Sequence, residues 1–333
     1  MKLSGISKDK SKRVFDLSKV IIGIHGLGNK PPANLLESWW KKSIHEGLSR
    51  LGHPRSLFKF ELVYWAKYIH PQALDPAISD PKDPLFLAEP YQPVIEIPKK
   101  VPDSRRKRLL DYLEKQMDRL LLNEDLTINF ASISDLIIHH FFRDLELYYS
   151  SEGIEATLRH KIQAELHEQL VQHRHDDVLV LAHSMGSIIA YEVLQQLPDN
   201  FKINTFMTFG SPLGMPVIMS KISKELKKTL PQRGKLAVPE AIKRKWQNFS
   251  DLEDKVALNY DLSDDYASNS KGILLQDFVI TNDYINKGER NPHKIYGYLR
   301  TPETARAILE FLESGKSRFR IWLDKHLIRF LSK

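Results

Sequence analysis

The sequence predicts an α/β protein with a mostly parallel sheet, because strand-like and helix-like segments alternate along its 333 residues. Parallel strands that are buried on both faces are continuous apolar runs, and KVIIGIHG (19–26) and DVLVLAH (177–183) are two such runs. Residues 33–51 instead carry apolar side chains at helical spacing. This alternation favours a sheet flanked by helices on both faces.

The remaining elements continue the same alternation. FKFELVYWA (58–66) alternates and is rich in aromatic residues, which predicts a second strand. Further helices are expected at 153–173, 187–197 and 301–313, and further strands at 203–214, 245–251 and 274–281. The sequence TPET at the start of the last helix indicates a threonine cap and a capping box with the glutamate.

Residues 70–150 separate two predicted core elements and form a segment that is too long for a loop. We interpret this segment as an inserted cap or lid. Its first part, 70–104, is rich in proline and aspartate, and two helices are expected at 105–122 and 132–149. Its aromatic residues either line an acyl pocket or form a core of the insert itself. They are Phe86, Tyr91, Phe141, Phe142, Tyr148 and Tyr149.

Composition limits the classes of function. The chain has no cysteine, which excludes disulfides, cysteine nucleophiles and thiolate metal sites. Residues 1–18 are expected to be a flexible basic tail without the apolar core of a secretory signal, and no apolar run has the length of a membrane span. A cytoplasmic location is therefore expected. The net charge of +7 comes from basic residues scattered among acids, so we expect no nucleic-acid partner.

The main domain is expected to span residues 19–315, and 316–333 is expected to form a basic amphipathic helix. RFRIWLDKHLIRFLSK (318–333) carries apolar residues at helical spacing with arginine and lysine between them. A basic amphipathic helix that contains a tryptophan can bind peripherally to an anionic membrane. A final helix packed on the body of the protein is the alternative.

The stretch VLVLAHSMGSIIAYEVL (178–194) predicts a buried strand that turns sharply into a helix at Ser184. Ala182 and Gly186 lie two positions away on either side, and small residues there are typical of a nucleophile elbow. The helix that follows offers free N–H groups to an oxyanion, so the N–H of Met185 is a candidate donor. A simple helix cap is the alternative role for the serine.

A second glycine-rich segment, HGLGN (25–29), follows the first predicted strand. Gly26 and Gly28 allow the backbone to approach a bound carbonyl closely. We therefore predict that the N–H of Leu27 donates to the oxyanion beside that of Met185. An ordinary glycine turn is the alternative.

These motifs resemble those of the α/β-hydrolase superfamily, in its serine esterase and lipase branch. The resemblance is carried by HGLGN (25–29), AHSMG (182–186), FGSPLG (209–214), DKVA (254–257) and NPHKIYGYL (291–299). AHSMG is similar to the elbow of the small bacillar lipases, which also have alanine first. The resemblance covers roughly 19–66 and 150–313. It implies an α/β-hydrolase fold with Ser184 as the nucleophile, and a triad in the chain order serine, acid, histidine.

The acid is placed from that chain order. The strand after the elbow helix ends in FGSPLG, where Ser211 stands and no carboxylate is present. The next predicted strand ends near Asp251, and Asp254 begins the Asp-x-Val sequence that the family often has at this turn. Asp254 is therefore the predicted acid and Asp251 the main alternative. The nearby acids 261, 264 and 265 lack the glycine and terminal glutamate of a calcium loop, so no metal is expected.

The predicted histidine is His293. Among the 13 histidines, it alone lies in a predicted loop between the last strand and the final helix. His25 and His183 are expected to be structural, the first by holding its loop through a hydrogen bond and the second by packing at the elbow.

The sequence therefore predicts a serine hydrolase that cleaves a small-molecule or lipid ester through an acyl-enzyme, with no cofactor. Thioesterase, peptidase and acyltransferase activities use the same kind of site and stay open. The alternative from another class is a catalytically inactive binding or scaffold protein on the same fold.

Overall fold

The computed structural model describes residues 18–54, 56–94, 145–149, 153–229, 236–257 and 259–316. The predicted N-terminal tail, the helix at 105–122, most of the helix at 132–149 and the C-terminal helix at 317–333 lie outside the described residues. Within the described residues, no helix is long and apolar enough to cross a membrane.

The expected α/β architecture with a mostly parallel sheet is confirmed. Six strands form one sheet in the order β2-β1-β3-β4-β5-β6, and every neighbouring pair is parallel. Their bounds are β1 Lys19–Ile24, β2 Lys59–Val63, β3 Asp177–His183, β4 Ile203–Phe209, β5 Ile242–Asp251 and β6 Leu275–Ile280. A small antiparallel hairpin, β7 Ile285–Asn286 and β8 Glu289–Arg290, lies apart from this sheet.

Helices cover both faces of the sheet. They are α1 Ala33–Arg50, α2 Gly153–Gln172, α3 Met185–Gln196, α4 Pro216–Thr229, α5 Ile295–Leu299 and α6 Pro302–Glu313. Alternate residues of β1 point to opposite faces, as in any strand. Val20 and Ile22 belong to the apolar cluster shared with α2, α3 and α4, whereas Ile21 belongs to the cluster shared with α1, α5 and α6.

Several local details differ from the sequence prediction, and the strand predicted at 203–214 ends at Phe209. The second strand ends at Val63 rather than at residue 66, and a 3-10 helix follows it at Trp65–Tyr68. Thr301 caps α6 by accepting a hydrogen bond from the N–H of Thr304. The expected capping box is wrong, because Glu303 is one position too early and the third helical residue is Thr304.

The strand order places two turns next to each other. The chain passes from β1 to β2 on one side of β1 and then returns to form β3 on its other side. The carboxyl ends of β1 and β3 are therefore neighbours at a reversal of strand order, which is where open α/β sheets bind ligands. The turns that follow these two strands are HGLGN (25–29) and the corner at Ser184.

Candidate active site

Ser184 occupies a strained corner between β3 and α3. Its backbone has φ 53° and ψ −129°, a conformation that residues other than glycine rarely adopt. Two hydrogen bonds hold the corner: the N–H of Ser184 donates to the Phe209 carbonyl at 2.9 Å, and the Ser187 hydroxyl donates to the Ser184 carbonyl at 2.6 Å. The Ser184 side chain makes no helix-capping hydrogen bond, so the simple cap is not its role.

Two glycines let neighbouring backbone approach this corner. A Cβ on Gly26 would lie 2.7 Å from the Cβ of Ser184, and a Cβ on Gly186 would lie 2.6 Å from the His25 carbonyl oxygen. Both separations are shorter than real carbon contacts, so neither position accepts a side chain without movement. The absence of side chains at these positions brings the turn after β1 directly against Ser184.

Ser184, His293 and Asp254 form a continuous hydrogen-bonded chain. The Nε2 atom of His293 lies 3.0 Å from the Ser184 hydroxyl, and its Nδ1 atom lies 2.8 Å and 2.9 Å from the two oxygens of Asp254. The Asp254 side chain is fully buried, and the His293 side chain is 19% exposed. The structure therefore brings together the three residues selected from the sequence, at the distances that proton transfer requires.

Asp254 is oriented by a group from its own loop and by a group from α5. One carboxylate oxygen accepts from the Val256 N–H at 2.9 Å, and the other accepts from the Tyr298 hydroxyl at 2.7 Å. Tyr298 lies in α5 and is fully buried, and burial together with Asp254 and Asp251 holds the pKa of its hydroxyl well above the usual range. Tyr298 was not among the site residues predicted from the sequence, although it belongs to the NPHKIYGYL segment that also contains His293.

The alternative acid, Asp251, has other partners. It accepts from the Asn282 N–H at 2.7 Å and from the Glu253 N–H at 2.9 Å, and it forms an ion pair with Arg290. Burial raises the pKa of Asp251, although these two N–H groups and Arg290 act in the opposite direction. The contacts of Asp251 join β5 to the loop that contains His293.

Gly210, in the FGSPLG turn after β4, makes room for the acid and the histidine. It has φ +51°, and a Cβ there would lie 2.6 Å from Asp254 Oδ2 and 3.0 Å from His293 Nδ1. A side chain at this position would separate the two groups. No role at the site was predicted for this glycine from the sequence.

The turn after β1 contains the predicted oxyanion donor Leu27. Lys30 holds this turn by donating to the carbonyl oxygens of Leu27 and Gly28, the second at 3.0 Å. Among the described residues, the N–H groups of Leu27 and Met185 have no hydrogen-bond acceptor. Gly26, which precedes Leu27, packs against Ser184, and Met185 follows Ser184 in the chain. The role of the two N–H groups as oxyanion donors stays a prediction.

His25 and His183 have the structural contacts that were expected of them. His25 donates to the Gly26 carbonyl at 2.7 Å, accepts from the Ala66 N–H at 3.3 Å and stacks on Trp65. His183 donates from Nε2 to the His293 carbonyl at 2.8 Å. Burial holds the pKa of both side chains well below the usual range, with help from Lys30 at His25 and from His293 at His183.

A cavity of about 230 Å³ opens beside Ser184 and His293. Its apolar lining residues are Leu27, Pro31, Leu36, Trp40, Leu74, Leu87, Val256, Ile295 and Tyr296. Its polar lining residues include Asn29, Lys30, Glu89, Asn291 and Lys294. The side chains of this cavity therefore come from α1, the insert, the loops after β1 and β5, and the segment that contains His293.

The aromatic residues of the insert, for which an acyl pocket was one of the two alternatives, do not line this cavity where they are described. Tyr148 and Tyr149 donate to Glu192 of α3 at 2.7 Å and 2.6 Å, and none of Tyr148, Tyr149, Phe86 and Tyr91 is among the lining residues. The insert contributes leucines and Glu89 instead. Phe141 and Phe142 lie outside the described residues.

Comparison with known proteins adds no further assignment, because the chain matches no protein-family model and no curated protein. In the described part of the chain, no group of three histidine, aspartate or glutamate side chains is arranged to hold a metal ion.

Proposed function

We propose that this protein is a serine hydrolase with an α/β-hydrolase fold and an inserted cap at about 70–150, and that it cleaves carboxylic esters. The observation that carries the proposal is the hydrogen-bonded chain from Ser184 through His293 to Asp254, at 3.0 Å and 2.8 Å. A serine at a strained corner, a histidine within reach of its hydroxyl and a buried acid behind the histidine form the arrangement that activates a serine nucleophile.

In the acylation step, the Ser184 oxygen attacks the carbonyl carbon of the ester while His293 Nε2 takes the hydroxyl proton. Asp254 accepts the Nδ1–H of His293, which sets the tautomer and stabilises the imidazolium. The N–H groups of Leu27 and Met185 donate to the oxyanion, and each such donor contributes about 3 kcal/mol in enzymes of this kind. The tetrahedral intermediate collapses, and His293 returns the proton to the departing alcohol.

In the deacylation step, water attacks the acyl-enzyme and His293 takes one of its protons. The second tetrahedral intermediate then releases the acid and restores the Ser184 hydroxyl. Every proton in this sequence passes through His293, so the scheme uses no cofactor.

The lining of the cavity supports an ester with an apolar part. Nine apolar residues line the cavity beside Ser184, together with polar residues. Pockets of this composition bind ligands by burying apolar surface and orient them with a few polar groups. We therefore propose small-molecule or lipid esters as the substrates.

Labelling with a fluorophosphonate probe tests the proposal, because such a probe reacts with an activated serine. We expect wild type to be labelled, and Ser184→Ala and His293→Ala to remain unlabelled. Turnover of a simple ester is expected to fall by about 10⁶-fold in Ser184→Ala, because both the nucleophile and its covalent intermediate are lost. Ser43→Ala is the matched control, since Ser43 is also a buried serine but lies on α1.

Labelling of Ser184→Ala at the wild-type rate would overturn the assignment of the nucleophile. No labelling of folded wild type, even with detergent or liposomes present, would favour the binding or scaffold function. Circular dichroism of each variant distinguishes loss of the site from loss of the fold.

We further propose that segment 318–333 binds peripherally to an anionic membrane. The support is its sequence, in which basic residues alternate with apolar residues at helical spacing. Co-sedimentation with anionic liposomes of the full chain and of residues 1–317 tests this proposal. Equal binding of the two chains would contradict it.

A further inference from the structure

Residues 72–92 of the insert form a segment, here called the strap, that lines the cavity with Leu74, Leu87 and Glu89. At its first end, the Asn29 side chain donates to the Gln72 carbonyl at 2.9 Å, and the Leu74 N–H donates to the Lys30 carbonyl at 2.9 Å. Asn29 and Lys30 belong to the turn that contains Leu27. The strap is therefore attached to the turn of the proposed oxyanion donor.

At its other end, the strap is attached to the segment around His293. The Tyr284 hydroxyl donates to the Pro90 carbonyl at 2.6 Å, and Arg300 donates to the Gln92 carbonyl at 2.6 Å. These bonds lie on both sides of His293 in the sequence. The strap thus joins two segments that the proposed mechanism uses.

Glu89 is the strap residue whose side chain contacts Asn291 and Lys294, on either side of His293. One of its carboxylate oxygens accepts from the Asn291 side chain at 2.7 Å, and the other accepts from Lys294 at 3.0 Å. Asn291 in turn accepts from the backbone N–H of His293 at 2.9 Å. A single side chain therefore connects the strap with the residue directly after His293 and, through Asn291, with His293 itself.

The charges around His293 come from several elements. Asp254 lies behind its imidazole, His183 of β3 lies beside it with ring centres 4.8 Å apart, and Lys294 and Glu89 face the same cavity. Burial alone would raise the pKa of Glu89, but Lys294, Asn291 and the charge of His293 outweigh burial and lower it. Glu89 therefore carries a negative charge close to the imidazole.

We propose that Glu89 is a positioning residue for His293, and that this role rests on the hydrolase function proposed above. Through Asn291 it fixes the backbone of the histidine loop. Its charge also offsets that of Lys294, which would otherwise oppose the imidazolium that forms during each proton transfer. The strap thereby helps to position His293 as a general base.

A purely structural role for Glu89 would require only its hydrogen bonds, whereas the proposed role also requires its charge. Glu89→Gln retains an acceptor for Asn291 and removes the charge. Lys294→Gln removes the opposing charge from the same pair. The two substitutions are therefore expected to move the protonation of His293 in opposite directions.

The first measurement is a pH titration, monitored by NMR, of the full-length protein in which the histidines are isotope-labelled. The His293 signal is identified by its loss in His293→Gln. We expect its titration midpoint to fall by roughly half a pH unit in Glu89→Gln and to rise by a similar amount in Lys294→Gln. The double variant is expected to lie near wild type. Glu310→Gln, which breaks the remote ion pair with Lys245, serves as the matched control and is expected to cause no shift.

The second measurement is the pH dependence of fluorophosphonate labelling in the same variants, which is expected to move in the same directions. Equal midpoints in wild type and Glu89→Gln would overturn the proposed role of Glu89. Absence of labelling in all proteins would instead overturn the hydrolase function, because the NMR titration does not depend on activity.

Discussion

The serine corner and the histidine loop are built in different ways. The corner consists of β3, Ser184 and the first turn of α3, which are contiguous in the sequence, and backbone from the turn after β1 and from the end of β4 packs against it. His293, by contrast, lies 109 residues from Ser184 and 39 residues from Asp254. Its surroundings include side chains from the insert and from α5.

This difference shows how far the local sequence determines the structure of the serine corner and of the histidine loop. Strain and small residues define the corner within five residues, AHSMG. Side-chain hydrogen bonds between distant segments define the histidine loop, and each of them depends on the tertiary fold. Substitutions around the histidine loop are therefore expected to separate positioning from folding more clearly than substitutions at the corner. Four predictions test this view, in order of decreasing effect.

The largest effect is expected from Asp254→Asn. An amide at this position favours the wrong histidine tautomer and cannot stabilise the imidazolium, so turnover is expected to fall by about 10⁴-fold. Ester turnover and fluorophosphonate labelling measure this loss. Asp251→Asn is the comparison: it weakens the contact with Arg290 and is expected to lower the free energy of unfolding by about 1–3 kcal/mol, with turnover largely retained. The reverse pattern would identify Asp251 as the acid.

A smaller loss is expected from Gly210→Ala. The new methyl group would lie 2.6 Å from Asp254 Oδ2 and would displace the acid or the histidine, so the labelling rate is expected to fall about 100-fold. Gly272→Ala is the matched control, because Gly272 also has a positive φ, of +73°, but an added Cβ there meets nothing within 4 Å. Equal labelling of the two variants would show that Gly210 provides only backbone freedom.

Tyr298→Phe removes the hydroxyl that donates to Asp254 at 2.7 Å. Without this donor, the negative charge of Asp254 stabilises the imidazolium more strongly, but the carboxylate is held less firmly in its orientation. We expect labelling to become about tenfold slower and its pH profile to move to higher pH. Tyr191→Phe is the control, since that hydroxyl donates to a backbone carbonyl at Ala237, away from the site. An unchanged pH profile in Tyr298→Phe would contradict this role.

The smallest effect concerns stability and its dependence on pH. Because the pKa of His25 and that of His183 are lowered in the folded state, folding favours their neutral forms. Their contribution to stability is complete at a pH above the pKa of histidine in the unfolded chain, and it is lost as the pH falls below that pKa. The free energy of unfolding, measured by chemical denaturation at a series of pH values between about 7 and about 5, is expected to show this loss. It amounts to up to ~1.4 kcal/mol per pH unit for each histidine. His25→Asn is expected to reduce the slope, and a slope equal to that of wild type would contradict the assignment.

Much of the core was predictable because each strand is short, apolar and bounded by a clear turn. The strand at 177–183 and the helix at 33–50 have almost the bounds that periodicity predicts. The second strand was predicted three residues too long, because Trp65 and Ala66 are as apolar as strand residues but form a 3-10 helix. Alternation and burial alone do not distinguish these two cases.

The insert was predicted less well, and the reason is physical. Its aromatic residues were expected either to line an acyl pocket or to form a core of the insert, but Tyr148 and Tyr149 donate hydrogen bonds to Glu192 of α3. The insert residues that do line the cavity are Leu74, Leu87 and Glu89, which have no periodic pattern. Their positions depend on hydrogen bonds between the strap and distant loops, and composition carries no signal for such bonds.

The sequence by itself determined the α/β alternation, the corner at Ser184 and the chain order of the candidate acid and histidine. These features are local, since they follow from apolar periodicity, from small residues at fixed spacing and from the order of elements along the chain. Only the tertiary structure distinguished the contacts of Asp254 from those of Asp251, and only it placed Gly210, Tyr298 and Glu89 beside the histidine. Those positions depend on how parallel strands align their carboxyl ends, because that alignment brings side chains from distant segments within hydrogen-bond distance.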